Sequence, residues 1–272
     1  MTEAIFFPDG DLFVPTDLAA SPWGSTLLHG GPPAALLARA IERTCDDPEM
    51  QVARLTIDLF RPVPKAPLRV ETRVIREGRR IQVVDGTLYA GDEPVTRAAA
   101  LMLRRTEGGL PSAQPPEAYL EGPEGLVVTG LGGTPPGSTA RPVAMPGNKG
   151  FHTTVEVRRL QGMMGSGGGA AWFRVPVPIV AGEETTPLMR TAATADFGSP
   201  MGSPRLSEGV GFINADITLY LHRMPVGEWI CLEAKGYAQP YGLGMSETVV
   251  HDLGGPIGRV VQATIMNQRQ RG

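Results

Sequence analysis

The sequence has few of the residue types whose chemistry narrows a function directly. Its 272 residues include two cysteines, four histidines and 6% aromatic residues. Cys45 and Cys231 stand in apolar helical and strand-like surroundings, which predicts two buried, reduced thiols and a cytoplasmic protein. His152 and His251 share no metal-ligand spacing with each other or with acidic residues, so we expect no metal site.

Strong net charge, long apolar runs and two common catalytic signatures are also missing. The formal net charge is −3, which provides no basic field for nucleic acid. No apolar run approaches the ~20 residues that span a bilayer, and residues 1–4 lack the basic region of a signal peptide. There is no Gly-x-Ser-x-Gly elbow, and the glycine run at 165–169 opens a strand-like segment instead of a phosphate loop. We therefore expect no nucleic-acid partner, no membrane span and no α/β-hydrolase nucleophile.

A long-period repeat dominates what is present. Leu55–Arg61 reappears as Ile217–Arg223, 162 positions later. Pro94 recurs at the same offset as Pro256, each on a turn before an apolar strand. A repeat of this length predicts two similar units. It also supplies an internal control, because a polar residue found in only one copy is a candidate for chemistry rather than for the fold.

The glycine and proline content predicts where the two units are joined. The sequence contains 35 glycines and 26 prolines, and residues 108–149 hold a dense share of both. Such a segment does not sustain a helix or a central strand. We predict an N-terminal unit at residues 1–107, a Gly/Pro-rich linker at 108–149 and a C-terminal unit at 150–272.

Each unit shows a helical segment and several antiparallel strands. Residues 34–43 are strong helix formers that follow two prolines, and a second helix is predicted from 186 or 187 to about 197. Alternating apolar residues predict strands at 52–60, 68–77, 81–90 and 95–103, and again at 151–159, 170–177, 213–222, 229–238, 244–251 and 257–266. Residues 198–211 are predicted to form an extra loop of the kind often placed at sites.

This order of helix, strand and charged residues resembles a known family. Residues 31–39, followed by Leu55–Arg61, resemble the acyl-CoA thioesterases of the double hot-dog, thioesterase II-like type, and so do Asp196–Ser199 followed by Phe212–Arg223. The likeness covers most of the chain outside the predicted linker. It implies an α+β fold of two tandem hot-dog units, each a curved antiparallel β-sheet wrapped around a central helix, and a protein that forms a homo-oligomer.

The resemblance also implies a set of catalytic residues. In the thioesterase II branch, an Asp on the second helix, a Thr or Ser near the start of the next strand and a Gln on the last strand hold the attacking water. These roles fall on Asp196, Asn214 and Gln262. The sequence departs from the family at position 214, where an amide replaces the hydroxyl. Asn can still donate and accept a hydrogen bond, so water positioning survives in principle.

The residues before the first helix are candidates for binding the substrate. His29, Gly30 and Gly31 precede a helix N-terminus, whose backbone amides can hold the thioester oxygen. The alternative is a loop histidine that caps local carbonyl groups, and the sequence alone does not separate the two.

The internal control bears on the three proposed catalytic positions. The positions 162 residues earlier are Ala34, Val52 and Ala100, as expected of a fused dimer with one retained site. Each polar residue also has an ordinary structural interpretation, as a helix-end carboxylate, a strand-start residue or a solvated strand residue. An Asp near a helix end opposes the helix dipole, which favours a functional role for Asp196.

These observations together predict an acyl-CoA thioesterase that needs no cofactor. Asp196 would act as the general base on water, an effect of ~10²–10⁴-fold. Three alternatives stay open. A non-catalytic acyl-CoA-binding hot-dog protein is compatible with Asn214, and an unrelated β-rich structural domain is disfavoured by the repeat. A hot-dog enoyl-CoA hydratase is disfavoured because no Asp is followed at short spacing by Asn-Pro and His.

Overall fold

A computed structural model of the protein describes residues 3–106, 108, 111, 113, 120–206 and 210–268. The strands of the first half are β1 (Phe6–Asp9), β2 (Leu12–Pro15), β3 (Ala20–Ser21), β4 (Gly24–Leu28), β5 (Met50–Asp58), β6 (Leu68–Arg76), β7 (Ile81–Ala90) and β8 (Glu93–Arg104). The strands of the second half are β9 (Glu156–Gly162), β10 (Gly168–Arg174), β11 (Val210–Asn214), β12 (Asp216–Leu221), β13 (Ile230–Ala238), β14 (Leu243–Asp252) and β15 (Gly255–Gln268). The helices are α1 (Gly31–Glu42), α2 (Phe151–Thr154), α3 (Pro187–Ala195) and α4 (Gly198–Gly202).

One antiparallel sheet runs through both halves of the molecule. Its order is β1-β2-β6-β7-β8-β5-β12-β15-β14-β13-β10-β9, with β11 paired to β15 beside this path. The order is symmetric about its centre, where β5 lies beside β12. On either side of this pair follow β8 and β15, then β7 and β14, then β6 and β13. β3 and β4 form a separate two-stranded hairpin.

The two halves meet at a pseudo-twofold axis between β5 and β12. Thr56 and Thr218, which are 162 positions apart, are paired across this junction, and their hydroxyl oxygens lie 3.5 Å apart. The offset also holds deeper in each sheet, where Val84 pairs with Ala100 in one half and Ser246 pairs with Gln262 in the other. The sequence repeat therefore corresponds to matching strand registers.

The helices lie on one face of this sheet and pack against each other. α1 packs on β5–β8, α3 on β12 and β13, and α4 on β10, β11 and β13–β15. α3 begins at Pro187 after Thr186, whose hydroxyl accepts a hydrogen bond from the Met189 amide at 3.1 Å. α1 and α3 are antiparallel, because the start of α1 at Gly31 faces Ala193 near the end of α3.

Several local predictions need correction. The strand predicted at 151–159 begins as the short helix α2, and β9 starts only at Glu156. The loop predicted at 198–211 contains α4 and the first residues of β11, while its residues 207–209 lie outside the described part. The strand predicted at 213–222 is divided at Ala215 into β11 and β12. Strands β1–β4 were not predicted, because short strands in polar surroundings carry little periodicity.

The segment between the halves agrees in its extent with the predicted linker. In the described residues between Arg104, where β8 ends, and Phe151, where α2 begins, there is no helix or strand. Residues 107, 109, 110, 112 and 114–119 lie outside the described part. The unit boundaries at 107/108 and 149/150 stay a prediction.

Candidate active site

The candidate site lies where the start of α1 meets the end of α3. A Cβ placed on Gly31 would lie 2.2 Å from the backbone oxygen of Ala193, so only glycine permits this approach of the two helices. Asp196 caps the end of α3 and is only 7% exposed. The helix contact thus brings residues before α1 to a buried carboxylate of the other half.

Two side chains from different elements hold the Asp196 carboxylate. The Asn214 side-chain amide donates a hydrogen bond to Asp196 Oδ1 at 2.8 Å, and His29 Nδ1 lies 2.9 Å from Asp196 Oδ2. Asn214 ends β11, and His29 follows β4 with 8% exposure. The structure therefore brings His29 and Asn214, two of the predicted residues, to the buried carboxylate of a third, Asp196.

The surroundings of Asp196 favour its ionised form. Burial acts to raise the pKa of this carboxyl, but attraction to His29, hydrogen bonds from His29 and Asn214, and the backbone N–H of Gly30 together lower the pKa below its ordinary value. Hydrogen bonds to a carboxylate stabilise the charged state. Asp196 is accordingly an anion at neutral pH.

Gly30 contributes its amide and its lack of a side chain. A Cβ at this position would lie 2.8 Å from Asp196 Oδ2 and 3.0 Å from Oδ1. The carboxylate therefore occupies the space that any other residue would fill. The Gly30 backbone N–H is among the groups that lower the pKa of Asp196, and a role of Gly30 in binding an oxyanion stays a prediction.

The tautomer of His29 determines whether the Gly31 amide is available. His29 Nδ1 lies 3.2 Å from the Gly31 nitrogen and 2.9 Å from Asp196 Oδ2. One ring nitrogen cannot accept from Gly31 and donate to Asp196 at the same time. The shorter contact to a buried carboxylate favours a proton on Nδ1 that is donated to Asp196. In that tautomer the Gly31 N–H is released, and it is the sole donor among the first three helical positions, because Pro32 and Pro33 have none.

Aromatic rings enclose the buried pair. The His29 ring centroid lies 5.3 Å from that of Phe151 and 4.7 Å from that of Phe197, and Phe173 stacks on Phe197 at 5.0 Å. All three phenylalanines are fully buried. Apolar walls exclude water and strengthen the electrostatic interactions inside. Phe151 was not predicted to lie at the site, because its helix α2 was predicted as a strand.

Gln262 lies beside this cluster rather than in contact with the carboxylate. It is fully buried, and a Cβ on Gly198 would lie 2.8 Å from Gln262 Oε1 and 2.6 Å from Thr248 Oγ1. Among the described residues, neither the Gln262 amide nor the Thr248 hydroxyl has a hydrogen-bond partner. Buried polar groups normally have one, so this surface facing α4 is suited to a polar ligand.

Gln262 belongs to a buried set that we call the polar wall. Its members lie on the inner face of β14 and β15 and are at most 5% exposed, and they are Ser246, Thr248, Gln262 and Thr264. The residues 162 positions earlier are apolar or lack a side chain, and they are Val84, Gly86, Ala100 and Met102. From the sequence, the 162-residue comparison covered only the residues that the family resemblance implies. The same comparison along the whole of β14 and β15 also identifies Ser246 and Thr248.

The 162-residue offset, which relates the strands of the two halves, does not relate their helices. α1 follows its N-cap Gly30 and α3 follows its N-cap Thr186, so the helices are offset by 156 positions instead of 162. By this register Asp196 corresponds to Ala40, and Ala34 was the wrong partner. The first half still has no carboxylate at the matching position, whereas Val52 and Ala100 follow the strand register.

Two further observations concern metal binding and membrane crossing in the described residues. Within residues 3–106, 108, 111, 113, 120–206 and 210–268, no group of three or more His, Cys, Asp or Glu side chains could hold a metal ion. No helix in the same part of the chain is long and apolar enough to cross a membrane.

Family models match both halves of the chain. Residues 19–103 match the acyl-CoA thioesterase N-terminal domain, and residues 133–266 match the acyl-CoA thioesterase C-terminal domain. The chain belongs to the acyl-CoA thioesterase family. The predicted resemblance is thereby confirmed for both units. No curated protein matches this thioesterase-family chain.

Solved structures show the same fold at low sequence identity. The tesB protein of Mycobacterium avium subspecies paratuberculosis is 16% identical with a TM-score of 0.67, over 96% of this chain and 95% of that one. The acyl-CoA thioesterase II TesB2 of Mycobacterium marinum is 15% identical with a TM-score of 0.66, over 96% and 95%. A conserved hot-dog protein of unknown function from Alicyclobacillus acidocaldarius is 17% identical with a TM-score of 0.66, over 97% and 96%. The predicted double hot-dog fold is confirmed. The catalytic and binding roles, the cytoplasmic location and the homo-oligomer stay predictions.

Proposed function

We propose that the protein hydrolyses an acyl-CoA thioester to a free acid and CoA. The observation that supports this most is the buried contact of Asp196 with His29 and Asn214 at the junction of α1 and α3. An ionised carboxylate paired with an imidazole in an apolar enclosure can accept and return a proton. Proton transfer of this kind is what general-base hydrolysis requires.

In the proposed reaction a water molecule attacks the thioester carbonyl carbon. A new C–O bond forms while one water proton passes to the Asp196–His29 pair. The tetrahedral intermediate then collapses, the C–S bond breaks, and the proton returns to the departing CoA thiolate. The balance needs only water and the thioester.

We assign the oxyanion to the Gly31 amide. When His29 Nδ1 donates to Asp196, the Gly31 N–H is released from its 3.2 Å contact with that nitrogen. Gly31 is the first residue of α1, where the helix dipole favours negative charge. The same tautomer therefore prepares both the base and the oxyanion donor. An oxyanion donor of this kind contributes about 10²–10³-fold.

The polar wall supplies the remaining hydrogen bonds in this proposal. Gln262 and Thr248 have buried polar atoms without a partner among the described residues. These atoms lie next to Gly198, which is two residues beyond Asp196 in the chain. We assign to Gln262 the positioning of the water, as the family resemblance implies. Thr248, which the resemblance did not suggest, would hold the Gln262 amide or the same water.

The experiment is hydrolysis of a panel of acyl-CoA substrates, followed by the thiol released. We expect turnover of at least one chain length above the uncatalysed rate. If none is hydrolysed while an acyl-CoA still binds, the protein is a non-catalytic acyl-CoA-binding member of the family, a result that the Asn214 substitution would then explain. Hydration of an enoyl-CoA without thiol release would instead indicate the hydratase.

A further inference from the structure

A cavity rich in arginine lies at the hairpin between β6 and β7. It has a volume of about 520 Å³, within the ~300–1,000 Å³ of small-molecule sites. Its side-chain lining consists of Arg76, Arg79, Arg80, Arg104, Ile81 and Leu103. Gly78 makes the turn tight, since a Cβ there would lie 2.7 Å from the Ile81 backbone oxygen. The turn therefore brings several guanidinium groups to one concave surface.

Most of this positive charge is not neutralised by the described residues. Arg104 forms an ion pair with Asp47 and donates to the Arg79 backbone oxygen at 2.6 Å, so it fixes the floor of the cavity. No carboxylate in the described part of the chain forms an ion pair with Arg76, Arg79 or Arg80, although Glu77 lies in the same hairpin. Like charges held together repel one another. The arrangement is stabilised when an anion binds between them.

The other half of the molecule shows that the fold does not need these arginines. The hairpin between β13 and β14 occupies the equivalent place, and its residues 162 positions later are Ala238, Tyr241, Gly242 and Met266. None is charged. The hairpin forms in both halves, whereas the charge appears in one. A polar residue found in only one copy of the repeat is a candidate for function, as in the polar wall. The arginines meet this criterion and are candidates for binding.

The cavity is distinct from the candidate active site. Asp47, which holds Arg104, follows the C-terminal end of α1, and the active-site residue Gly31 is at its N-terminal end. α1 has 12 residues, and at ~1.5 Å per residue it separates the two places by about 18 Å.

We propose that this cavity binds a phosphate-bearing small molecule. Arginine is suited to phosphate because its planar guanidinium donates two parallel hydrogen bonds. Ile81 and Leu103 provide an apolar surface beside the charge, which fits a nucleotide or another organic phosphate better than a bare ion. The phosphate groups could come from the nucleotide end of the CoA substrate or from a separate phosphorylated metabolite, and the chemistry of recognition is the same.

The first experiment measures equilibrium binding of inorganic pyrophosphate, ADP and coenzyme A by calorimetry. We expect saturable binding of pyrophosphate or ADP to the wild type, weakened at least tenfold in Arg76→Gln/Arg79→Gln/Arg80→Gln. The matched control is Arg141→Gln/Arg205→Gln, which removes the two arginines of another described cavity and should bind as the wild type does. Equal binding by the wild type and the triple variant, or no saturable binding by the wild type, would overturn the proposal.

A second experiment identifies the source of the phosphate and rests on the proposed function. If the ligand is the substrate itself, coenzyme A competes with pyrophosphate, and the triple variant raises KM for an acyl-CoA but not for the matching acyl-pantetheine. If it is a separate metabolite, pyrophosphate binding is lost in the triple variant while KM for the acyl-CoA is unchanged. Binding does not depend on turnover, so failure of the thioesterase assignment leaves the first experiment intact.

Discussion

The two ends of the α1–α3 pair contain similar groups in different arrangements. At one end, His29 before α1 meets Asp196 after α3. At the other end, Thr186 before α3 donates a hydrogen bond to Glu42 at the end of α1 at 2.5 Å, and Arg39 forms a bidentate ion pair with Glu183, at 2.6 Å in both contacts. Each end therefore has a carboxyl that contacts both helices, buried at Asp196 and partly buried at Glu42.

The carboxyls at the two ends differ in their pKa shifts and in the polarity of the sheet beside them. The carboxylate of Asp196 has a lowered pKa and lies in the half whose sheet carries the polar wall. Burial raises the pKa of Glu42, with a smaller opposing effect from its hydrogen bond with Thr186, and the sheet in its half is apolar at the corresponding places. In the proposed function, the Asp196 end carries the chemistry and the Glu42 end holds the halves together.

A large loss of turnover should also follow a substitution of His29. In His29→Gln the side chain can still donate a hydrogen bond to Asp196 but cannot take up a proton, so we expect turnover to fall by about 10²-fold. The control at the other end is Thr186→Val, which removes the N-cap of α3 and should cost about 1 kcal/mol of stability with turnover unchanged. Steady-state kinetics and urea unfolding of both variants make the comparison. Equal turnover in the two would show that the ends do not differ in function.

The Arg39–Glu183 pair should matter for stability alone. Arg39 has a side chain 12% exposed, and Arg39→Gln leaves a partly buried carboxylate with fewer donors. We expect the free energy of unfolding to fall by about 1–3 kcal/mol without a change in turnover per folded molecule. Denaturant unfolding and active-site-normalised kinetics test both parts. A selective loss of turnover with normal stability would place chemistry at this end as well.

The polar wall should show a smaller catalytic effect. Thr248→Val removes a buried hydroxyl and keeps the shape of the side chain, and we expect turnover to fall by about tenfold, roughly 1.4 kcal/mol. Thr96→Val is the matched control, because Thr96 is equally buried and also lacks a hydroxyl partner among the described residues, but lies in the first half. If both variants keep full turnover, the wall is structural.

The two carboxyls should affect acid stability with opposite signs and modest size. The folded pKa of Asp196 is below its ordinary 3.8, so its contribution is present above pH 3.8 and is lost as the pH falls through the folded pKa. The folded pKa of Glu42 is above its ordinary 4.5, so its favourable contribution is full below pH 4.5 and is lost as the pH rises through the folded pKa.

Urea unfolding between pH 3 and pH 7 measures this difference. Relative to the wild type, Asp196→Asn should lose its stability deficit toward low pH, whereas Glu42→Gln should be relatively most stable near neutral pH. The same pH trend in both variants would contradict the assigned environments.

The strands were predictable because alternation of apolar residues is a local pattern. The repeat was predictable because its two copies can be compared directly in the sequence. Alternating apolar residues fixed β5–β8 and β12–β15 to within a few residues, and the 162-residue offset survives as the strand register across Thr56 and Thr218. The helix register was not predictable in this way, because the connections before α1 and α3 differ in length. Subtracting 162 from position 196 therefore gave Ala34 as the counterpart of Asp196, whereas the helix offset of 156 gives Ala40.

The candidate site was predictable only as a set of residue types. Asp196 and Asn214 followed from the resemblance, but the His29–Asp196 contact depends on the antiparallel meeting of two helices that are far apart in sequence. The close approach of Gly30 to the carboxylate likewise requires coordinates. Ser246 and Thr248 were within reach of the repeat argument, whereas Phe151 was not, because α2 carries no helical signal of its own.

The most direct test compares turnover of one acyl-CoA by Asp196→Asn and Glu42→Gln. Each variant replaces one carboxyl by an amide of the same shape, at the buried Asp196 and at the partly buried Glu42, which lie at opposite ends of the same helix pair. The account predicts that Asp196→Asn loses about 10²-fold or more in turnover with little change in acyl-CoA binding, while Glu42→Gln keeps the wild-type rate. Unchanged turnover in Asp196→Asn, or a comparable loss in Glu42→Gln, would contradict the claim that catalysis belongs to the His29–Asp196 end.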